Sequence, residues 1–310
     1  MNPILALIIA NIIWGAAAPI FKFSLTNIPP FTLAFLRFFI AALIMLPMLK
    51  HFKPRSLNAK DWFELVLGSF FGITINIAFF FLALEKTQSI NAPIIASSGP
   101  VFLYILSILF LKEKAEKKVF GGMMIALLGV LLIILSPILF DGKIFALGEL
   151  EGNLFLVIST FGAILHPLLY KNILKKVNVS VITCFGFIIG AIPFFPMMLG
   201  EFRKWDISMI GLPGIVGILF GAVLSSFVAY TLYNYGLSKI RAEEIGLFTY
   251  IDPVIAVLIA IPLLHEYPTI HFFLGSLLVF GGIFIAEERI HWHPIHRLKV
   301  TSSHSRSFRT

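Results

Sequence analysis

Apolar residues along this chain fall into blocks of about 20, the length a helix needs to cross roughly 30 Å of hydrocarbon. Short polar or turn-forming stretches separate the blocks. The pattern predicts ten membrane-spanning helices, at residues 4–23, 31–49, 62–84, 92–111, 119–139, 152–170, 180–199, 209–236, 245–264 and 272–288. Asn27-Ile28-Pro29-Pro30, Lys53-Pro54-Arg55, Asp141-Gly142 and Tyr267-Pro268 mark turns between them, because proline and glycine interrupt regular structure. The first block lacks a basic leader, and Pro19 follows its only small-residue run, Ala16-Ala17-Ala18. It is therefore expected to be a retained helix and not a signal peptide.

Within this pattern one position stands out. Asp252 and Pro253 interrupt the apolar run from Ile245 to Leu264, where a carboxylate is costly and a proline breaks the helix. Counting back 153 residues from Pro253 gives Pro100, preceded by Gly99. At that offset residues 83–130 align without gaps onto 236–283, with Leu84 on Leu237, Lys86 on Lys239, Val101 on Val254 and Glu113 on Glu266. Gly122 falls on Gly275 and Gly129 on Gly282. Five spans per half is an odd number, so the second half crosses the membrane in the opposite sense. The predicted fold is an all-α integral membrane protein of ten transmembrane helices in two inverted five-helix repeats. Residues 1–140 form the first repeat and 141–289 the second, with a basic cytoplasmic tail at 290–310. Inverted repeats of this kind are common in secondary transporters, whose sites lie near the bilayer midplane.

Charge placement sets the expected orientation. Eighteen of the 24 Lys and Arg fall in alternate connections and the tail, and only Lys86, Lys143, Arg203 and Lys204 fall on the other side. Lys22 and Arg37 lie within or beside spans. The positive-inside rule then puts both termini in the cytoplasm of a multi-pass protein of the inner (plasma) membrane. The same placement explains the net charge of +8 without a nucleic-acid partner. Charged residues make up 13% and hydrophobic ones 58%. A soluble domain carries about 25% charge, so lipid and not water is the main solvent here; the mean hydropathy of +0.95 agrees. The single cysteine, Cys184, permits no internal disulfide.

Trp14-Gly15, Pro19 and Lys22-Phe23 resemble the first-helix signature of EamA-type permeases of the drug/metabolite transporter superfamily. Phe161-Gly162, Pro167 and Tyr170-Lys171 resemble a degenerate second copy, in which Phe161 replaces the tryptophan. The stretches from Pro100 to Glu113 and from Pro253 to Glu266 are similar to the family's most recognisable segment. The resemblance spans residues 4–288. It implies a non-enzymatic transporter of small metabolites, with a central cavity enclosed by spans 1, 3, 4, 6, 8 and 9. Amino acids are the leading substrate class, moved outward by alternating access with proton coupling or exchange. Nucleotide-linked sugars, S-adenosylmethionine and lipophilic cations are alternative cargoes, and an intramembrane enzyme is the reading from another class.

Polar side chains inside the spans are the candidate site residues, since a polar group in hydrocarbon faces a partner or a wet cavity. Asp252 is either an N-cap ahead of Pro253 at a restarting helix or a substrate or proton site. Ser97 and Ser98 ahead of Gly99 and Pro100 suggest a matching break in the first half. Lys22 and Arg37 either snorkel to the interface or form a cationic wall that attracts an anion or holds a gate. His166, beside Pro167, is an interior histidine or a titrating partner. Asn11, Trp14, Asn76, Tyr104, Asn153, Ser225 and Tyr250 could line a cavity. Tyr230, Tyr233 and Asn234 share one helix face by their i, i+3, i+4 spacing, as cavity lining or as helix–helix glue. Glu113 and Glu266 are expected at membrane boundaries. No cofactor or metal is expected: His265-Glu266-Tyr267-Pro268-Thr269 is not a zinc-protease motif. Histidines 291, 293 and 296 sit in a basic tail suited to anionic lipid. The expected partners are a small-molecule substrate, the lipid bilayer, and a proton or counter-substrate.

Overall fold

A computed structural model describes residues 1–51, 57–102, 117–140, 146–240 and 245–287. All regular secondary structure among the described residues is helical, and we number the helices in chain order. The first three are α1 (Pro3–Leu25), α2 (Pro30–Met45, continued by a 3-10 turn, Leu46–His51) and α3 (Ala59–Leu84). Then come α4 (Asn91–Ser97), α5 (Lys117–Phe140), α6 (Ala146–Ile173), α7 (Val179–Ala191) and α8 (Phe194–Glu201). Last are α9 (Leu212–Lys239), α10 (Ile251–Leu264, led by a 3-10 turn, Gly246–Tyr250) and α11 (Ile270–Glu287). Among the described residues six helices are long and apolar enough to cross a membrane; α7 and α8, bent by 44° at Ile192-Pro193, make a seventh when the pair is counted as one span. Phe248–Leu264 and Ile270–Ala286 are shorter apolar helices. The fourth expected span is described only to residue 102.

Helix starts follow local chemistry. Asn2 caps α1 ahead of Pro3, and Asn58 and Asp61 form a capping box at α3, which satisfies amide hydrogens that have no partner inside a helix. Pro29 has no side chain to cap α2. The carboxylate of Glu201, at the end of α8, does so instead, accepting from the amides of Phe31 (2.9 Å) and Thr32 (2.6 Å) and from the Thr32 hydroxyl (2.7 Å).

The offset of 153 recurs in the backbone. α3 begins at Ala59 and α9 at Leu212. α3 widens into a π-helical turn at Phe70–Ile75 and α9 at Phe220–Val228, equivalent places. The α5–α11 contact is self-complementary. A Cβ at Gly122 would lie 2.5 Å from the Gly282 carbonyl oxygen, and one at Gly129 would lie 2.5 Å from that of Gly275. The offset takes Gly122 to Gly275 and Gly129 to Gly282, so it exchanges these two contacts, as a two-fold relation requires. Only glycine allows the backbones to meet this closely, which is how helices without a hydrophobic driving force associate in lipid.

The breaks differ in detail from expectation. In the first half the helix is interrupted at Ser98, with φ −79° and ψ 2°, and resumes at Gly99, so Gly99 and Pro100 begin the next helical turn and are not the break. In the second half the 3-10 turn passes into α10 after Tyr250. The N-cap position belongs to Tyr250, and Asp252 and Pro253 lie inside the first turn. Asp252 is therefore not an N-cap.

Candidate functional site

The π-helical turn of α9 organises the centre of the molecule. A π turn leaves carbonyls outside the regular hydrogen-bond ladder. Trp14 on α1 donates its indole N–H to the Ser225 carbonyl at 3.1 Å. Arg37 on α2 approaches the same turn, donating from Nε to Ser226 Oγ (3.1 Å) and from Nη2 to Ser225 Oγ (3.0 Å). Gly221 makes room for it, since a Cβ there would lie 3.1 Å from that of Arg37. Arg37 is 1% exposed and does not snorkel. Its guanidinium lies over the rings of Phe21 (4.6 Å) and Phe38 (4.5 Å). Among the described residues it has hydroxyl and aromatic partners and no carboxylate. Burying an uncompensated charge costs several kcal/mol, which hydroxyl donors and ring faces offset only in part.

Around Trp14 the aromatic residues close in. Its ring lies 5.1 Å from Tyr230 and 5.0 Å from Tyr233. The His166 ring, on α6, is 4.1 Å from Tyr170, 5.8 Å from Tyr230 and 6.3 Å from Tyr233. His166 Nε2 meets Asn234 Oδ1 at 3.1 Å, and Asn234 Nδ2 donates to Thr183 Oγ1 on α7 at 3.0 Å. The Tyr170 and Ser69 hydroxyls meet at 2.8 Å. The face of Tyr230, Tyr233 and Asn234 is divided: Tyr230 meets Trp14 edge-on and Tyr233 meets it at a tilt, while Asn234 ties α6, α7 and α9 together.

Asp252, in the first turn of α10, lies against α1. Gly15 lets the two backbones touch, since a Cβ there would lie 2.8 Å from the Asp252 carbonyl oxygen and 2.9 Å from its Cα. Asp252 is half-buried; its Oδ1 is enclosed and has no hydrogen-bond partner among the described residues. Asn11, one turn along α1, is fully buried; its Nδ2 donates to Leu7 O within the helix and its Oδ1 is unpartnered.

Several other candidates lie away from this centre. Asn76 bonds Gly72 O beside the π turn of α3 and accepts from Ser159 on α6 (2.7 Å). Ser97 and Ser98 donate back to Pro93 O and Ile95 O of their own helix. Tyr250 packs on Phe280, ring centres 5.5 Å apart. Asn153 is buried and bonded to Thr87 and Asn91. Tyr104 and Glu113 lie outside the described residues. Lys22 does not snorkel either: it pairs with Glu266 at 2.7 Å and donates to Thr87 O at 2.7 Å. Glu266 is nearly buried and not a surface ion pair. Sequence reasoning missed Thr183, Ser226 and Glu201. Their hydroxyls or carboxylate find partners more than 50 residues away, and no local spacing signals that.

Of the six spans expected to enclose a cavity, α1, α3, α6, α9 and α10 supply the groups just described, joined by Arg37 of α2 and Thr183 of α7, while α4, the described part of the fourth span, supplies none of them. Two recesses open elsewhere: one of about 480 Å³ lined by Leu174, Val179, Ser180, Thr231, Tyr235 and Lys239, and an apolar groove of about 390 Å³ lined by Phe35, Phe39, Leu43, Ile188 and Phe195. Among the described residues no group of three or more His, Cys, Asp or Glu could hold a metal.

Two stretches, residues 1–135 and 150–286, match the EamA-like transporter family. The uncharacterized transporter YetK of Bacillus subtilis (strain 168) is 30% identical over 291 residues, covering 92% of this chain and 86% of that protein. Two uncharacterized transporters of Archaeoglobus fulgidus are 24% identical over 290 residues (93% of this chain, 98% of the relative) and 28% identical over 278 (89% and 95%). A solved crystal structure superposes with a TM-score of 0.63 at 17% identity, covering 94% of this chain and 99% of its own, a likeness of fold alone. The duplicated match, the whole-length relatives and the apolar helices agree: this chain belongs to the EamA-like transporter family and is a multi-pass membrane transporter, not an enzyme.

Proposed function

We propose that the protein is a secondary active transporter that exports small polar metabolites, amino acids foremost, by alternating access. Its ten spans form two inverted five-helix repeats meeting near residue 141, with both termini in the cytoplasm of the inner membrane. The observation that carries the substrate class is the pair of charged groups on either side of Trp14. Arg37, a buried cation without a described counter-ion, matches a substrate carboxylate. Asp252, with one enclosed and unpartnered oxygen, matches an ammonium group or a proton carried in exchange. Trp14, Tyr230 and Tyr233 lie between them and would offer ring faces to the substrate body once they part. Asn11, Ser225 and His166 are the remaining polar groups within reach of that path. A buried Arg37 argues against lipophilic cations as cargo.

The test is counterflow in proteoliposomes with a metabolite panel, comparing wild type with Asp252→Asn across pH. Amino acids should exchange, and the variant should lose pH dependence. Transport with unchanged rate and pH profile in Asp252→Asn would leave Asp252 a structural residue only. No exchange of any amino acid by the wild-type protein would overturn the substrate class.

A further inference from the structure

Two lysines tie opposite ends of the molecule in the same way. Lys22 lies in the last turn of α1, three residues after Pro19, and donates to the carbonyl of Thr87, just past the end of α3. Lys171 lies in the last turn of α6, four residues after Pro167, and donates to the carbonyls of Leu237 and Ile240 at the end of α9. Thr87 and Ile240 are 153 residues apart, the offset that relates α3 to α9. In each half, then, the end of the first helix is held to the carbonyl end of the third, where a cation is favoured by the helix dipole. The two contacts lie at opposite faces. The Lys22 contact is near the Glu201 cap and the Lys86–Glu151 pair, and the Lys171 contact is near Lys176–Asp61.

At the Lys22 end a carboxylate from the other half of the chain takes part. Glu266 Oε1 pairs with Lys22, while Oε2 accepts from the amide (2.8 Å) and hydroxyl (2.6 Å) of Ser89. One carboxylate thus clamps the α1 end and the α3–α4 connection to the α10–α11 connection. The chain reaches this position through His265, whose φ of 54° makes it the only non-glycine residue with positive φ among the described residues. Left-handed backbone is unfavourable for a side chain with a Cβ, and such strain persists where the surroundings hold it and gather it at switch regions. Glu266 is nearly buried, so breaking the clamp would leave a carboxylate without its cation.

We propose that Lys22, Glu266 and Ser89 form the gate that seals one face of the transport path, and that the Lys171 contact with α9 forms its repeat-related counterpart at the other face. The inference rests on the alternating-access reading. Each half-cycle opens one lysine contact while the other stays made. The Glu266 clamp joins the two halves at the Lys22 face, so opening that face requires α1 and α10 to separate there.

Thiol accessibility tests this without knowledge of the substrate. A reporter cysteine replaces Ser225 in the centre, in a Cys184→Ser background, and a membrane-impermeant maleimide is applied to each side of oriented membranes. Lys22→Ala or Glu266→Gln should speed labelling from one side at least about fivefold, the scale of a one-contact coupling. Lys171→Ala should speed it from the opposite side. Lys22→Arg and the exchange Lys22→Glu with Glu266→Lys should restore protection, which a merely destabilised chain would not do. Labelling within twofold of the parent in both Lys22→Ala and Glu266→Gln, or acceleration from both sides at once, overturns the gate. Counterflow by the wild-type protein is measured separately, so failure of the gate with transport intact is distinct from failure of the transporter reading.

Discussion

The α5–α11 contact makes a prediction that can be worked from distances. At Gly282 a Cβ would lie 2.3 Å from Ala126 N and 2.5 Å from Gly122 O, both backbone atoms that no rotamer change can move. Ordinary contact begins at 3.4 Å, so Gly282→Ala forces the two helices about 1 Å apart, an overpacking that costs roughly 1–3 kcal/mol. The neighbouring Gly281 has nothing within 4 Å of its Cβ position. Both substitutions gain about 1 kcal/mol of helix propensity, so that contribution cancels between them. The expected result is that Gly281→Ala is neutral or stabilising, while Gly282→Ala lies roughly 1–3 kcal/mol below it. The repeat predicts the same contrast at Gly121, which is open, and Gly122, whose Cβ would meet Gly282 O at 2.5 Å. Combining Gly122→Ala with Gly282→Ala should cost less than the sum, because helices already parted by one methyl partly accommodate the second. Thermal unfolding of the detergent-purified protein, supported by steric trapping in bicelles, reads all five variants. Equal losses at Gly281 and Gly282 would refute the close backbone contact and with it the two-fold exchange of contacts.

Further outcomes follow from single sites. Arg37→Lys retains the charge, but one ammonium cannot reproduce the forked donation to Ser225 and Ser226; in counterflow it should raise KM for carboxylate substrates about tenfold, the effect of losing one charged hydrogen bond, and an unchanged KM would remove Arg37 from the site. Asn234→Ala leaves His166 Nε2 without its partner in a buried place, which should lower stability by about 1–3 kcal/mol in a denaturant titration. A loss near zero would mean that the His166 contact is dispensable. Asn58→Ala removes the cap that accepts from the Asp61 amide. It should cost about 1 kcal/mol, seen as faster hydrogen exchange confined to the first turn of α3.

Much of the site was legible before the structure, for a physical reason: a polar residue inside an apolar span is visible wherever it occurs. Trp14, Arg37, His166, Tyr230, Tyr233 and Asp252 were singled out in this way: the rings of Trp14 and His166 both lie beside Tyr230 and Tyr233, Arg37 and Trp14 bond the same π turn, and Asp252 approaches α1 through its backbone. What each one does was not legible. Tyr230 and Asn234 share a helix face, yet one meets Trp14 edge-on and the other bonds His166 and Thr183. Proline chemistry suggested a break at Gly99-Pro100 and a cap at Asp252. Proline is equally at home in the first turn after an interruption, and the backbone places both prolines there. Asp252 then projects from within the helix.

The sequence by itself determined the solvent, the placement of apolar segments and the offset of 153. These depend on composition and on period along the chain, which are one-dimensional properties. Its motifs carried the resemblance to the transporter family that the family match then showed. Only the tertiary structure decided partners. Lys22 finds Glu266 across 244 positions, Glu201 caps a helix some 170 residues earlier, and Arg37 settles on a π turn of the opposite half. In lipid every buried polar group must find a partner within the protein, but which partner it finds depends on how the helices cross. The glycines set those crossings, and their spacing is in the sequence while the backbone they meet is not.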